Sequence, residues 1–198
     1  MTRAQRAWRA ARAGVTATPI TLRLARSDDV FLLEALIPLS ARALQAATYS
    51  PAQIEGALGM VFAVDRQLIA DETYFVAERD RKMVGCGGWS RRKTLFGGDR
   101  GRSPQADPLL DPNADAARIR AFFVHPAYAR RGVGRLMMNA CERAAAAGGF
   151  RALELVATLA GEPLYAAFAF QVVERYDIAL ANGLSLPVVR MAKALAPR

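Results

Sequence analysis

The stretch that decides the fold reads Phe122-Phe-Val-His-Pro-Ala-Tyr-Ala-Arg-Arg-Gly-Val-Gly-Arg-Leu-Met-Met138. The run that starts at Ala117 and includes Phe122 is apolar enough to predict a central strand. From Gly132 onward the apolar residues recur at helical spacing, and Gly148-Gly149 marks the end of that helix. A strand, a glycine-containing loop and a helix therefore follow one another without interruption.

The loop between strand and helix, Arg130-Arg-Gly-Val-Gly-Arg135, has the chemistry of a phosphate site. A helix N-terminus presents unpaired N–H groups and a partial positive charge, and glycine lets a ligand approach the backbone. The three arginines add attraction for an anion. Together these features predict a pyrophosphate cradle.

Three other interpretations of the loop compete with a pyrophosphate cradle. A Walker loop requires Gly-Lys-Ser/Thr at a different spacing, and a dinucleotide fingerprint requires a third glycine where Met137 stands. A solvated basic turn, with its glycines serving geometry alone, remains open. The strand before the loop and the amphipathic helix after it favour phosphate binding over this alternative.

Outward from this stretch, strands and helices are mixed along the chain. Strands are predicted at seven places, starting near Ile20, Tyr74, Lys82, Ala117, Leu153, Gln171 and Leu186. Asp80-Arg81 is predicted to turn a hairpin, and Ser50-Pro-Ala-Gln53 is a helix-start signal with a capping box. This order indicates an α/β or α+β fold, with a sheet flanked by helices.

The length of 198 residues predicts one domain with an extension. The first twenty residues contain four arginines at every third position and no acid, so we predict a basic flexible extension over residues 1–18 and a domain over 19–198. The extension resembles an organelle transit peptide or a nucleic-acid arm, and we favour a solvated, frayed tail over both. The net charge of +9 favours anionic partners.

Cysteine and histidine are scarce, which limits the classes of site. Cys86, Cys141 and the single His125 leave no disulfide framework and no metal cluster, so we expect a reducing, cytoplasmic location and no metal. The longest uncharged runs have 12 residues, whereas a membrane span needs about 20. These run lengths argue against an integral membrane protein.

The strand, loop and helix quoted above resemble the GNAT acetyltransferase superfamily, whose members carry Gln/Arg-x-x-Gly-x-Gly/Ala at this place. Ala129 stands where that motif begins, which is a departure. Leu164-Tyr-Ala-Ala-Phe-Ala-Phe170 is similar to a second family motif, with Ala169 in place of its glycine. The resemblance implies a GNAT fold, with a mixed, mostly antiparallel sheet of about seven strands that splays at its central strands.

The same resemblance implies where acetyl-CoA binds. Its pantetheine arm would pair with the backbone of Phe122, Phe123 and Val124. Its pyrophosphate would lie on the loop formed by Arg130, Arg131, Gly132, Val133, Gly134 and Arg135. A backbone N–H near Val124 would bind the oxyanion, and Tyr165 would donate a proton to the leaving thiolate.

The general base is not evident from the sequence. Many family members have a glutamate on this strand, where the chain offers Arg118 and Arg120, so we hypothesise that one of them faces the acceptor and favours an acidic substrate. Tyr49 and Trp89 are candidates for either the acceptor pocket or the core. Asp115 lies just before the strand and is interpreted as a loop residue.

The function predicted is transfer of an acetyl or short acyl group from acyl-CoA to an unknown amine. One rival is a CoA-binding regulatory or interaction module with little catalysis. A nucleic-acid-binding protein is a further rival, although nothing in the chain resembles a base-reading motif. No membrane partner is expected, and the resemblance is compatible with a homodimer.

Overall fold

The computed structural model describes residues 18–99 and 107–195. Its strands are β1 (Thr21–Leu24), β2 (Tyr74–Arg79), β3 (Lys82–Ser90), β4 (Ala117–Val124), β5 (Ala152–Thr158), β6 (Gln171–Ala179) and β7 (Ser185–Ala194). Its α-helices are α1 (Val30–Leu44), α2 (Pro51–Ala57), α3 (Arg66–Ala70), α4 (Val133–Ala147) and α5 (Glu162–Ala166). Two short 3₁₀ turns, Ser27–Asp29 and Pro126–Tyr128, precede α1 and the basic loop.

The seven strands form one sheet in the order β1-β2-β3-β4-β5-β7-β6. All neighbouring pairs are antiparallel except β4 and β5, which are parallel. This mixed, mostly antiparallel sheet with flanking helices confirms the fold class predicted from the sequence.

The hairpin turn and the helix cap predicted from local sequence signals are both present in the structure. Asp80 and Arg81 join β2 to β3 with φ of 51° and 60°, which is the left-handed conformation that a tight hairpin requires. Ser50 accepts a hydrogen bond from the Gln53 N–H, and the Gln53 side chain accepts from the Ser50 N–H. This capping box fixes the start of α2.

The central strands separate partway along their length. β4 pairs with β5 only over Ala117–Ile119, so its last five residues have no partner on that side. A bulge in the β3–β4 pairing places Ala121 at φ 56°, which bends β4 away at the same point. The sheet is thus open along the C-terminal part of β4, on the side that faces β5.

Helices cover both faces of the sheet, and the sheet separates the core into two layers. One face packs α1, α2 and α3 around residues such as Leu33, Tyr74 and Phe123. The other face packs α4 and α5 around residues such as Met138 and Tyr165. The gap between β4 and β5 therefore connects two different sides of the molecule.

The predicted extension over residues 1–18 lies outside the described residues, apart from Thr18. Between β3 and β4, the described residues are 91–99 and 107–116. Within the described ranges, no helix is long and apolar enough to cross a bilayer.

Candidate active site

A cavity of about 800 Å³ passes through the gap between β4 and β5. Its walls come from both faces of the sheet, because α1 and residues 61–63 line one end while the start of α4 and α5 line the other. Nine of the ten site residues predicted from the sequence line this cavity: Phe122, Phe123, Val124, Arg130, Gly132, Val133, Gly134, Arg135 and Tyr165. The tenth, Arg131, lies beside it.

The N-terminus of α4 opens onto one end of the cavity. Gly132 is the N-cap residue at φ 85°, a conformation that favours glycine, and it provides no side-chain cap. The N–H groups at the start of α4 therefore have neither an intrahelical nor a capping partner within the described residues. No acidic residue occupies the first turn, so the partial positive charge of the helix end is available to an anion.

The arginines of the loop are held by aromatic rings. The Arg131 guanidinium lies 5.7 Å from the centre of the Tyr128 ring, and that of Arg135 lies 5.3 Å from the Phe168 ring. These contacts place positive charge around the helix end while leaving its amides uncovered. Arg130 adopts φ 60°, which is an uncommon conformation for a side chain of its size.

Side-chain hydroxyls satisfy the backbone groups that the open edge leaves without strand partners. The Ser40 Oγ accepts a hydrogen bond from the Val124 N–H at 3.1 Å, and the Tyr74 hydroxyl donates to the Ala121 carbonyl at 3.3 Å. On the opposite side of the gap, the Tyr49 hydroxyl accepts from the Leu159 N–H at 2.8 Å and donates to the Pro187 carbonyl at 2.6 Å. Specific hydrogen bonds therefore stabilise the gap on both of its sides.

We expect Tyr49→Phe to lower the free energy of unfolding by about 2 kcal/mol, because it leaves a buried N–H and a buried carbonyl without partners. Tyr49 is only 3% exposed, so water does not readily replace the lost hydroxyl. Denaturant titration measures the change as a lower midpoint at constant slope.

The matched control for this substitution is Tyr176→Phe, which removes a half-buried hydroxyl on β6 away from the gap. We expect its free energy of unfolding to stay within about 0.5 kcal/mol of the unmutated protein. Equal losses in the two variants would contradict a bridging role for Tyr49.

The prediction that an amide near Val124 binds an oxyanion needs a correction in register. The Val124 N–H already donates to Ser40. The His125 N–H donates to Val84 on β3, so alternation along the strand directs the N–H group of Val124 towards the gap. Phe122 adjoins the bulge, where this alternation is interrupted. It lines the cavity and lies beyond the β5 pairing, so no residue of β5 pairs with its amide.

Tyr165 lies on α5 at the wall of the cavity. Its ring packs edge-to-face against Phe122 and Phe170, at centroid distances of 6.2 and 6.0 Å. Burial raises the pKa of its hydroxyl above the ordinary tyrosine value, with Cys141 a further cause. Among the described residues no group hydrogen-bonds to this hydroxyl, so its proton is available to a ligand.

The two strand arginines that were hypothesised to face the acceptor have different surroundings. Arg118 pairs with Glu154 and is absent from the cavity wall. Arg120 does line the cavity, but its Nη2 is 2.8 Å from Asp65 Oδ2, and both side chains are almost fully buried. The Arg120 Nη2 also donates to the Gly97 carbonyl at 2.5 Å.

Tyr49 and Trp89 were candidates for either the acceptor pocket or the core, and both belong to the core. Trp89 packs edge-to-face on Phe150, and Tyr49 makes the bridge described above. The structure adds cavity residues that the sequence did not suggest: Ser40, Gln45, Phe62 and Phe96. No sequence signal pointed to Ser40, because its contact with Val124 joins residues that are far apart in the chain.

Charged groups on the described cavity wall are all arginines, namely Arg120, Arg130 and Arg135. No aspartate, glutamate or histidine is found among the described residues that line it. Over the same described ranges, no group of three or more His, Cys, Asp or Glu side chains is placed to hold a metal ion.

Comparison with known protein families identifies the class to which this fold and cavity belong. The family model described as "Acetyltransferase (GNAT) family" matches residues 42–170, nearly two thirds of the chain. The chain therefore belongs to the GNAT acetyltransferase family. The match contains β2 to β5, the basic loop and α5, which are the elements that build the cavity.

Solved structures share the fold at low sequence identity. A GCN5-related N-acetyltransferase from Rhodopseudomonas palustris is 23% identical, with a TM-score of 0.66 over 91% of this chain and 99% of that one. The PaiA N-acetyltransferase of Thermoplasma acidophilum, solved with coenzyme A, is 15% identical, with a TM-score of 0.59 over 89% and 99% of the two chains.

A third similar structure is YncA of Salmonella typhimurium, described as a putative acetyltransferase and solved with acetyl-CoA. It is 16% identical, with a TM-score of 0.54 over 90% of this chain and 95% of that chain. No curated protein sequence matches the chain.

Proposed function

We propose that this protein transfers an acetyl or other short acyl group from its CoA thioester to an amine. The observation that carries the proposal is the single cavity that joins the free amides of α4, the open edge of β4 and the Tyr165 hydroxyl. The similar structures solved with coenzyme A or acetyl-CoA support an acyl-CoA donor.

Two sets of backbone groups in the cavity bind different parts of the donor. The N–H groups of residues 132–135 bind the pyrophosphate, and the arginines around them add longer-range attraction. The unpaired edge of β4 at Phe122–Val124 offers hydrogen bonds to the amides of the pantetheine arm, as an added strand would receive them. Ser40 already occupies the Val124 N–H, so the remaining groups of this edge carry that contact.

Transfer forms a bond between the amine nitrogen and the acyl carbon and breaks the carbon–sulfur bond. In the proposed transfer, the Phe122 N–H stabilises the oxyanion that develops on the carbonyl oxygen. Tyr165 gives a proton to the departing thiolate, and solvent then restores it. The amine nitrogen loses one proton in the same transfer, so the sum of charges is unchanged.

The amine must lose its proton without a carboxylate in the described cavity wall. Because no acid or histidine lines the cavity there, the amine enters in its neutral form or gives its proton to water. Such a reaction is fastest at alkaline pH, where free amines are neutral. This is the expected pH dependence of the proposed transferase.

The same observation favours one other function, a CoA-binding regulatory or interaction module. Such a module needs the amides of α4 and the open edge of β4 but no base. It also has no need of a buried phenol with a free proton, so the position of Tyr165 favours the transferase.

Calorimetric titration of acetyl-CoA, followed by turnover with a panel of amines, tests the proposal. We expect micromolar binding, release of free CoA thiol and a mass increase of one acetyl group on an amine. Binding without thiol release at any pH would support the regulatory module. Absence of binding would end both interpretations of the cavity.

A further inference from the structure

The helix α1 is apolar on its outward side as well as on the side that packs against the sheet. Its buried residues are Leu33, Leu36, Ile37, Ser40 and Ala41. On the outward side, Phe31 is 78% exposed, Leu32 48% and Leu39 45%. A helix that is apolar all round is normally buried, and a large exposed apolar patch marks an interaction site. The outward side of α1 therefore has the character of a partner surface.

The outward residues of α1 form one continuous stripe. Intervals of three or four residues, which bring side chains to the same side of a helix, separate Phe31, Ala35, Pro38 and Arg42. An open, shallow depression lies along this stripe and is lined by Glu34, Ala35, Pro38, Leu39, Arg42 and Ala43. We call these six residues, together with Phe31 and Leu32, the α1 face. None of them lines the cavity of the candidate active site.

The α1 face has one acid near its start and one base near its end, four residues before and after Pro38. Glu34 is 3.0 Å from Arg66, and Arg42 is 2.6 Å from Glu55. More than half of each of these side chains is exposed, so both charges are accessible to a further partner. A second copy of α1, antiparallel to the first and centred on Pro38, brings its base beside Glu34 and its acid beside Arg42. The charge pattern is therefore complementary to itself.

We propose that the α1 face is the interface of a homodimer, in which two copies of α1 pack antiparallel across a two-fold axis near Pro38. Such an interface buries the same patch on both subunits. Glu34 lies beside Arg42 of the partner subunit at both ends of the contact, and Phe31 lies against the last turn of the partner's helix. Antiparallel packing also brings opposite ends of the two helix dipoles together. The proposal concerns a surface outside the cavity and does not depend on the transferase function.

The charges of α1 favour a second copy over other partners. The helix contains one acid and one base in 15 residues. A helix that lies on a membrane surface is typically rich in Lys and Arg, and a nucleic-acid surface needs the same residues. Two copies that each have a net charge of +9 repel one another, and their approach costs least where the facing charges are balanced.

Sedimentation equilibrium of the full chain measures this association. One pair of 15-residue helices makes a small interface, so we expect the average mass to rise from one chain to two between about 1 and 100 µM protein. Phe31→Ser is expected to raise the dissociation constant at least about tenfold, because it removes the largest apolar side chain of the α1 face. Phe31 is mostly exposed in a single chain, so the substitution spares the fold.

Charge reversal tests the antiparallel register. Glu34→Arg brings two cations together at both ends of the interface, and Arg42→Glu brings two anions together. Each variant alone is expected to dimerise at least about tenfold more weakly. An equimolar mixture of the two variants restores opposite charges at both ends. We expect it to form a mixed dimer with a dissociation constant within about threefold of that of the unmutated protein.

Matched reversals away from α1 control for net charge. Glu174→Arg on β6 and Arg143→Glu on α4 change exposed residues by the same charges, and we expect dissociation constants within about twofold of the unmutated value. Dimers weakened by these controls as much as by the α1 variants would overturn the assigned interface. A mixture of Glu34→Arg and Arg42→Glu that stays monomeric would overturn the antiparallel register.

Two results would overturn the homodimer itself. The first is a single-chain mass for the unmutated protein at about 100 µM, well above the expected dissociation constant. The second is a single-chain mass that becomes a dimer only when residues 1–17 are removed, because the chain's own first residues would then occupy the α1 face.

Discussion

The variant Gly134→Glu is expected to lose acetyl-CoA binding, with affinity reduced at least about 100-fold in a calorimetric titration. Gly134 lies in the first turn of α4, where the unpaired N–H groups face the cavity. A glutamate side chain there occupies the place of the pyrophosphate and adds a negative charge that repels it.

The fold is expected to tolerate this substitution. A Cβ on Gly134 comes 3.1 Å from Leu164 Cδ2, and the end of a flexible side chain can shift by that small amount. Gly134 is helical, so no backbone strain is added, and a carboxylate near a helix N-terminus is electrostatically favourable. The loss of affinity thus reports on the ligand site and not on unfolding.

The matched control is Ala147→Glu, which makes the same change of charge at the other end of α4. Ala147 is exposed and distant from the cavity wall, so acetyl-CoA affinity is expected to stay within a few-fold of the unmutated protein. If Gly134→Glu binds acetyl-CoA as the control does, the helix end is not the phosphate site, and the glycines of the loop serve geometry alone.

The sequence was sufficient to predict the parts of the cavity wall that are contiguous in the chain. The strand, the basic loop and the start of α4 follow one another within residues 117–135, and each has a local signal in strand or helix periodicity or in glycine. Local signals also predicted the Asp80-Arg81 turn and the Ser50 capping box. These features follow from backbone chemistry that acts within a few residues.

The side of the cavity that adjoins α1 could not be predicted from the sequence, because its contacts join distant parts of the chain. Ser40 on α1 meets Val124 on β4, and Asp65 before α3 meets Arg120. From residue types on β4, an arginine was expected to face the cavity, and Arg120 does line it. The same residue types could not show that the buried carboxylate of Asp65 pairs with this arginine.

The register of the open edge of β4 could also not be predicted from the sequence. A bulge at Ala121 and a hydroxyl from Ser40 decide which amides of β4 face the cavity. Neither follows from the alternation of residues 117–124, because a bulge adds one residue to only one strand of a pair. We therefore propose the Phe122 amide, in place of the Val124 amide, for binding the oxyanion.

Tyr165→Phe is expected to lower kcat about 100-fold, with acetyl-CoA affinity unchanged, because it removes only the proton that the leaving thiolate receives. The ring keeps its edge-to-face contacts with Phe122 and Phe170. Steady-state kinetics with saturating donor and amine measure the change. Tyr176 does not line the cavity, so Tyr176→Phe is expected to keep the kcat of the unmutated protein.

The pH profile gives an independent check on the same residue. Burial raises the pKa of Tyr165 above the ordinary value of about 10, so the phenol keeps its proton throughout the range in which amines become neutral. We therefore expect kcat to rise with pH and to show no descending limb below about pH 10. A descending limb near neutrality that persists in Tyr165→Phe would assign proton donation to another group, and Tyr165 would then be a packing residue of α5.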